Sequence, residues 1–192
     1  MSTQQWSRLS TDAFNVALFA YIAGMIGYFY YLAFRRHLVW RAASLAAFLG
    51  LGAHVVSVLA RGVAAGRVPW GNMYEYSSLL ALLVVAGYLF VVEGTFKVRV
   101  LGGFVLAFSV LTMAIAVMFL YVGPGPLVPA LNSYWIKIHV AAAVTASGAF
   151  LLSGVLALLY LPLIVLLVVA ALAFPIEAGL DYMLRPRKVA PD

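Results

Sequence analysis

From Leu101 to Val122 the chain reads LGGFVLAFSVLTMAIAVMFLYV, without one charged residue. A helix rises about 1.5 Å per residue and the bilayer core is about 30 Å thick, so about 20 apolar residues cross it. Several runs in this chain reach that length. In lipid every backbone polar group must be paired within the protein. The recurrence of such runs therefore points to an all-α fold, a polytopic transmembrane helical bundle. Charged residues make up only 9% of the chain, against about 25% in a soluble domain. Packing between helices in lipid replaces burial of an aqueous core, and the bilayer itself is the first partner.

A net charge of +6 raises the question of nucleic acid. The basic residues are scattered through short connections, however, with no basic stripe interleaved with aromatics, which excludes a nucleic-acid surface. They read instead as topology signals, since cytoplasmic connections carry the excess of Lys and Arg. The chain has no cysteine, which excludes disulfides, thiolate metal sites and any thiol–disulfide relay.

The hydrophobic pattern predicts spans over about Ala13–Phe34, Ala42–Ala60, Leu79–Phe96, Leu101–Val122 and Tyr134–Tyr160. The first is too long for a signal-peptide core and has no A-x-A-type site after it, so it is expected to stay as a span. Arg35, Arg36, His37 and Arg41 form the densest basic cluster, and Lys97 and Arg99 follow the third span. Both belong in the cytoplasm under the charge rule, which places the N-terminus and the Arg61–Ser78 loop outside a cell (plasma) membrane. GPGPLVPALNSYW, with Pro124, Pro126 and Pro129, is expected to be extended or turn-rich. Leu161–Phe174, bracketed by Pro162 and Pro175, is a short sixth span, a kinked continuation of the fifth helix or a half-helix. Five or six spans are thus expected, in a single domain over 1–192. Arg185, Arg187 and Lys188 are external with a sixth span and cytoplasmic without it.

Ionisable groups at membrane depth are costly and so mark candidate sites. His139 lies one turn after Trp135, with Ala143, Ala146 and Ser147 on the same helical face. Small side chains beside an imidazole leave room for a flat ligand, and imidazole is a good axial ligand for haem iron. The same small residues also suit plain close approach of two helices. Lys137 can snorkel to the interface, either as an anchor or toward a haem propionate. His54 reads as a hydrogen-bonded packing residue and Glu93 as an i,i+4 ion pair with Lys97. In GRVPWGNMYEYSSL, Pro69 and Gly71 form a turn, Asn72 or Ser77–Ser78 caps the next helix, and Glu75 sits in its first turn. Trp70, Tyr74 and Tyr76 beside that acid suggest a docking surface.

His54, Arg61, GRVPWGNMYEYSSL and LVPALNSYWIKIHVAAAVTASGAFLLSGVLALLYL together resemble the cytochrome c biogenesis proteins of the CcsA/ResC type, including the actinobacterial CcsB-like members. The resemblance covers about 42–160. It implies a haem-handling membrane protein that works with a ResB-type partner to attach haem to apocytochrome c at the extracytoplasmic face. It implies that His139 is an axial haem ligand, the chain's metal contact being through haem iron alone. It places Trp70, Asn72, Tyr74 and Glu75 in a signature loop. The family's tryptophan-rich WGxYWxWD segment and two later histidines are not found here: Trp6, Trp40, Trp70 and Trp135 stand apart, and no histidine follows His139. The chain therefore looks like the family's front half with a divergent or truncated tail over 161–192. A component of a cytochrome c synthase is implied, rather than a self-sufficient haem lyase. Two further readings are a non-catalytic scaffold that assembles the ResB-type partner without binding haem, and a small transporter. The transporter is disfavoured by few intramembrane charges and no matched pair of broken helices.

Overall fold

The computed structural model describes residues 2–126 and 133–184, with side chains followed through Val169 apart from Leu163. Regular structure is helical throughout these residues: α1 Thr3–Phe34, α2 His37–Ala65, α3 Met73–Gly87, α4 Gly102–Phe119 and α5 Tyr134–Leu184. At its end α3 widens into a π-helix, Tyr88–Thr95. Five helical segments are long and apolar enough to cross a membrane, α3 and its π extension counting as one. Pro129 and the Arg185, Arg187, Lys188 and Asp192 group lie outside the described residues, as do the side chains of Glu177 and Asp181.

The chain divides into two compact units, Met1–Val155 and Leu156–Asp192. In the first, α1 starts at Thr3, well before the expected Ala13, because Ser2 and Gln5 form a capping box. The Gln5 N–H donates to Ser2 Oγ at 3.3 Å, and the Ser2 N–H donates to Gln5 Oε1 at 2.7 Å. Two orphan donors of the first turn are thereby satisfied. The far end of α2 closes on Gly66, whose φ of +62° is the left-handed cap that glycine adopts without a Cβ clash.

Antiparallel packing of α1 on α2 depends on close approach. A Cβ added to Gly27 would lie 2.8 Å from Ala43 Cβ, and one on Gly50 would lie 2.7 Å from the Tyr21 ring. Small residues at such crossings are how helices gain van der Waals contact in lipid, where no hydrophobic force draws them together. At the far end of α1, a Cβ on Gly102 would lie 2.5 Å from Tyr88 Oη, so α4 begins against the fully buried Tyr28 and Tyr88 rings. Outward-facing side chains such as Phe19, Ile26, Leu49, Leu59 and Phe90 are exposed and apolar, as a lipid-facing surface requires.

The π segment corrects one expectation. Its Phe96 N–H donates to Val91 O at 3.0 Å, a five-residue spacing, and Lys97 then turns left-handed with φ +60°. The α-helical phase that would pair Glu93 with Lys97 is lost, and Glu93 points into the bundle, 6% exposed. Three donors from α1 and α2 converge on its carboxylate. Tyr28 Oη donates to Oε2, while Ser44 Oγ at 2.7 Å and Trp40 Nε1 at 3.1 Å donate to Oε1. Arg99 lies over the Trp40 ring with its guanidinium carbon 3.8 Å from the centroid, a cation–π contact. This knot ties α1, α2, the π segment and the start of α4 at one end of the bundle.

The second unit carries the rest of α5. Helical backbone runs through both Pro162 and Pro175. Of the expected arrangements, it is continuation of the fifth helix that occurs. Each proline removes one helical N–H, a loss that membrane helices tolerate better than soluble ones. The described side chains here, among them Leu158, Leu161, Val165 and Leu167, are exposed and apolar.

Candidate functional site

At the end of the first unit opposite Glu93, the stretch after α2 is built around a single carboxylate. Asn72 is the N-cap of α3, its Oδ1 accepting from the Glu75 N–H at 2.9 Å. That cap sets the first turn so that the Glu75 side chain projects into the bundle rather than along the helix axis. There it accepts from Arg61 Nε at 3.0 Å and from Arg67 Nη1 at 2.7 Å. The Gly71 N–H donates to it as well, at 2.8 Å. A carboxylate removed from water is stable only when its lone pairs are taken up in this way.

The two arginines reach further. Arg61 Nη2 donates to the Val122 carbonyl, and Arg67 Nε donates to the Gly125 carbonyl at 2.9 Å. Both acceptors lie on the proline- and glycine-rich stretch after α4, which has no helical partners for its own carbonyls. Arg61 also lies over the Tyr74 ring, 5.0 Å from its centroid, and 5.7 Å from that of Tyr121. Tyr74 and Tyr121 meet edge to face at 5.1 Å. Two residues of the expected docking surface are therefore turned inward. Tyr74 and Glu75 are 4% and 2% exposed, because the ion pairs and the cation–π stack need them inside. Trp70 and Asn72 are half-buried.

Below this network a small cavity, with room for about one water, is lined by Ser10, Ser57, Arg61, Glu75 and Ser78 among others. Ser57 Oγ donates to Ser10 O at 2.7 Å, and Ser10 Oγ donates to Ser57 O at 2.9 Å, stitching α1 to α2. His54 follows, fully buried. Its Nε2 lies 3.0 Å from Ser78 Oγ and its Nδ1 lies 3.4 Å from Tyr21 Oη. A neutral imidazole has one donor and one acceptor, and these two hydroxyls can satisfy both. Packing between α1, α2 and α3 is thus what His54 does here, as its sequence setting suggested.

His139 differs in every respect. It lies in the second turn of α5 and is exposed, on the same face as the exposed Trp135 and Ala146 and the half-buried Ala143. Ser147 does not lie open below it, for Tyr76 Oη donates to Ser147 Oγ at 2.9 Å and fastens α5 to α3. Lys137 is half-buried. Two residues from His139 on a helix, it projects roughly 200° away, so it does not flank the imidazole. With His37 at the Glu93 end and both His54 nitrogens engaged, His139 alone among the chain's three histidines has an open imidazole at this end. Among the described residues, no group of three or more His, Cys, Asp or Glu side chains is close enough to hold a bare metal ion. What the face offers is one nitrogen ligand over small side chains and an indole. An exposed imidazole of this kind would suit the iron of a planar macrocycle.

Sequence reasoning missed Arg67, and it placed Tyr76 on a docking surface and Ser147 in the small-residue face below His139 without seeing that the two are paired. All three stand inside or beside the stretches that carry the family resemblance, and that proximity was the available signal.

No family model matches the chain. Comparison with curated proteins finds relatives of one kind. The chain is 32% identical over 127 residues to the cytochrome c biogenesis protein CcsA of Gloeobacter violaceus, covering 59% of this chain and 36% of that protein. It is 30% identical over 161 residues to the CcsA of Synechococcus sp. strain JA-3-3Ab, covering 82% and 46%. With the CcsA of Porphyra purpurea it shares 29% over 163 residues, covering 80% and 49%. The chain is similar to CcsA proteins over most of its length. It spans about a third to a half of the length of these relatives. The longer matches exceed the expected interval 42–160, so the similarity passes at least one of its bounds.

Proposed function

We propose that the chain is a CcsA/ResC-type component of the cytochrome c maturation machinery that helps present haem at the extracytoplasmic face. The observation that carries this reading is the open His139 imidazole in a chain similar to CcsA proteins. Iron would bind at His139 on one side, and the second axial ligand and the remainder of the haem cradle would come from outside the described residues. A ResB-type partner and apocytochrome c complete the assembly. In the chemistry served, each apocytochrome thiol adds across a haem vinyl group. A sulfur–carbon bond forms and the thiol proton ends on the neighbouring carbon. The role of this chain is to hold and orient the haem, a contribution of positioning.

Charge distribution supports the orientation in the plasma membrane. Arg35, Arg36, Arg41, Lys97 and Arg99 lie at the Glu93 end. Among the described residues the His139 end carries Arg8, Arg61, Arg67 and Lys137, which are more widely spread along the chain than the basic cluster at the Glu93 end. The positive-inside rule then puts the Glu93 end in the cytoplasm and His139 and the N-terminus outside.

The test is to purify the full chain from haem-replete membranes with the ResB-type partner co-expressed. A Soret band that His139→Ala weakens or shifts is expected. A colourless preparation with haem supplied would overturn the reading in favour of a scaffold that assembles partners without binding haem.

A further inference from the structure

We propose that the first turn of α3 is the positioning element for the His139 imidazole, with Glu75 and Tyr76 as positioning residues; this rests on reading His139 as the haem ligand. The two side chains are adjacent and so point in different directions from one turn. Glu75 binds Arg61 and Arg67, and through them the Val122 and Gly125 carbonyls. Those carbonyls belong to the stretch that leads from α4 toward α5. Tyr76 binds Ser147, about two helical turns beyond His139 on α5 itself.

Little else fixes α5. Among the described residues, Tyr76–Ser147 is the one side-chain hydrogen bond between α5 and the other helices. The remaining contact is apolar: Val144 and Val155 are buried, a Cβ added to Gly148 would lie 3.0 Å from Leu83 Cβ, and one added to Gly87 would lie 3.0 Å from Leu152 Cδ2. Packing over glycines draws the helices together and sets their crossing, but it carries no directional bond. The hydroxyl pair supplies the direction. It fixes the rotation of α5 about its axis, and hence where the imidazole faces. The Glu75 network fixes the connecting stretch at its other end.

The absence of native cysteine makes the test direct. Val63 and Ile138 are exposed, so Val63→Cys with Ile138→Cys can carry nitroxide labels on the full chain in liposomes. Double electron–electron resonance should give a narrow distance distribution in the parent. Tyr76→Phe and Ser147→Ala should each broaden it about twofold. The double variant should be no broader than either single one, which separates a paired contact from general loosening. Glu75→Gln should broaden it further. In parallel, Tyr76→Phe should weaken haem uptake about tenfold and shift the low-spin resonance of the bound iron, while His139→Ala abolishes both signals. Distributions unchanged in Tyr76→Phe and Glu75→Gln overturn the proposal, even if His139 binds haem. Broadened distributions in protein that takes up no haem leave the positioning role standing and refute the haem reading beneath it.

Discussion

Glu93→Gln and Lys97→Ala, made separately, should have very different effects. An exposed i,i+4 Glu–Lys pair on a helix contributes about 0.2–0.5 kcal/mol, so on the sequence spacing alone the two variants would be equally mild. The structure separates them. Glu93 accepts from Tyr28, Ser44 and Trp40 inside the bundle, whereas Lys97 is exposed and left-handed beyond the helix end. Hydrogen bonds to a carboxylate are roughly twice as strong as neutral ones. A glutamine keeps the shape and can still accept from Ser44 and Trp40 through its oxygen, while its amide faces the Tyr28 hydroxyl, which can accept in turn. The loss is then the charge-assisted part of three bonds, about 0.5–1.5 kcal/mol each and about 1.5–4.5 kcal/mol in all. Lys97→Ala should stay within about 0.5 kcal/mol of the parent.

The assay is unfolding in mixed micelles with rising denaturing detergent, followed by tryptophan fluorescence. Coincidence with a circular-dichroism transition would check two-state behaviour. A double-mutant cycle adds a second reading: Tyr28→Phe should couple to Glu93→Gln and not to Lys97→Ala. If Glu93→Gln is as stable as Lys97→Ala, or if Lys97 carries the coupling, the inward placement of Glu93 and the π-helical phase behind it are wrong.

Four further outcomes are expected. Gly50→Ala, whose Cβ would lie 2.7 Å from the Tyr21 ring, should lose about 1–3 kcal/mol in the same titration. Gly52→Ala, which meets nothing within 4 Å, should be neutral or gain up to about 1 kcal/mol. Asn72→Ala removes the α3 cap and should lose about 1 kcal/mol, with added hydrogen exchange confined to the first turn of α3. His54→Leu leaves the Ser78 and Tyr21 hydroxyls unpaired and should lose about 1–3 kcal/mol, yet leave the Soret band of haem-loaded protein in place.

Which of these features the sequence discloses follows from how far apart the interacting residues lie. The spans were legible because apolar run length alone decides whether a helix can cross a bilayer, and five such helices are present among the described residues. Asn72 was legible as a cap because its partner, the Glu75 N–H, is three residues on. His54 was legible in kind, as a buried imidazole needing hydroxyls, but its partners Tyr21 and Ser78 come from two other helices.

Local reasoning failed for Glu93 because an i,i+4 argument presumes an α-helical phase, and the π segment changes that phase. It failed differently for Glu75. An acid in a first helical turn already has a sufficient explanation in the positive helix end, so nothing local demands the two arginines. The bond from Tyr76 to Ser147 spans 71 residues and leaves no periodic trace at all. In a bundle without a hydrophobic force between helices, residue type announces that a polar side chain will be paired, and the adjacency of helices chooses with what. The consequence for this chain is specific. Of the polar bonds that the first turn of α3 makes, Tyr76–Ser147 runs to α5, while Glu75 holds Arg61 of α2 and Arg67 and reaches the post-α4 stretch only through them. Disturbing that turn should therefore be felt on α5 through Ser147 as well as at the Arg61 end of α2.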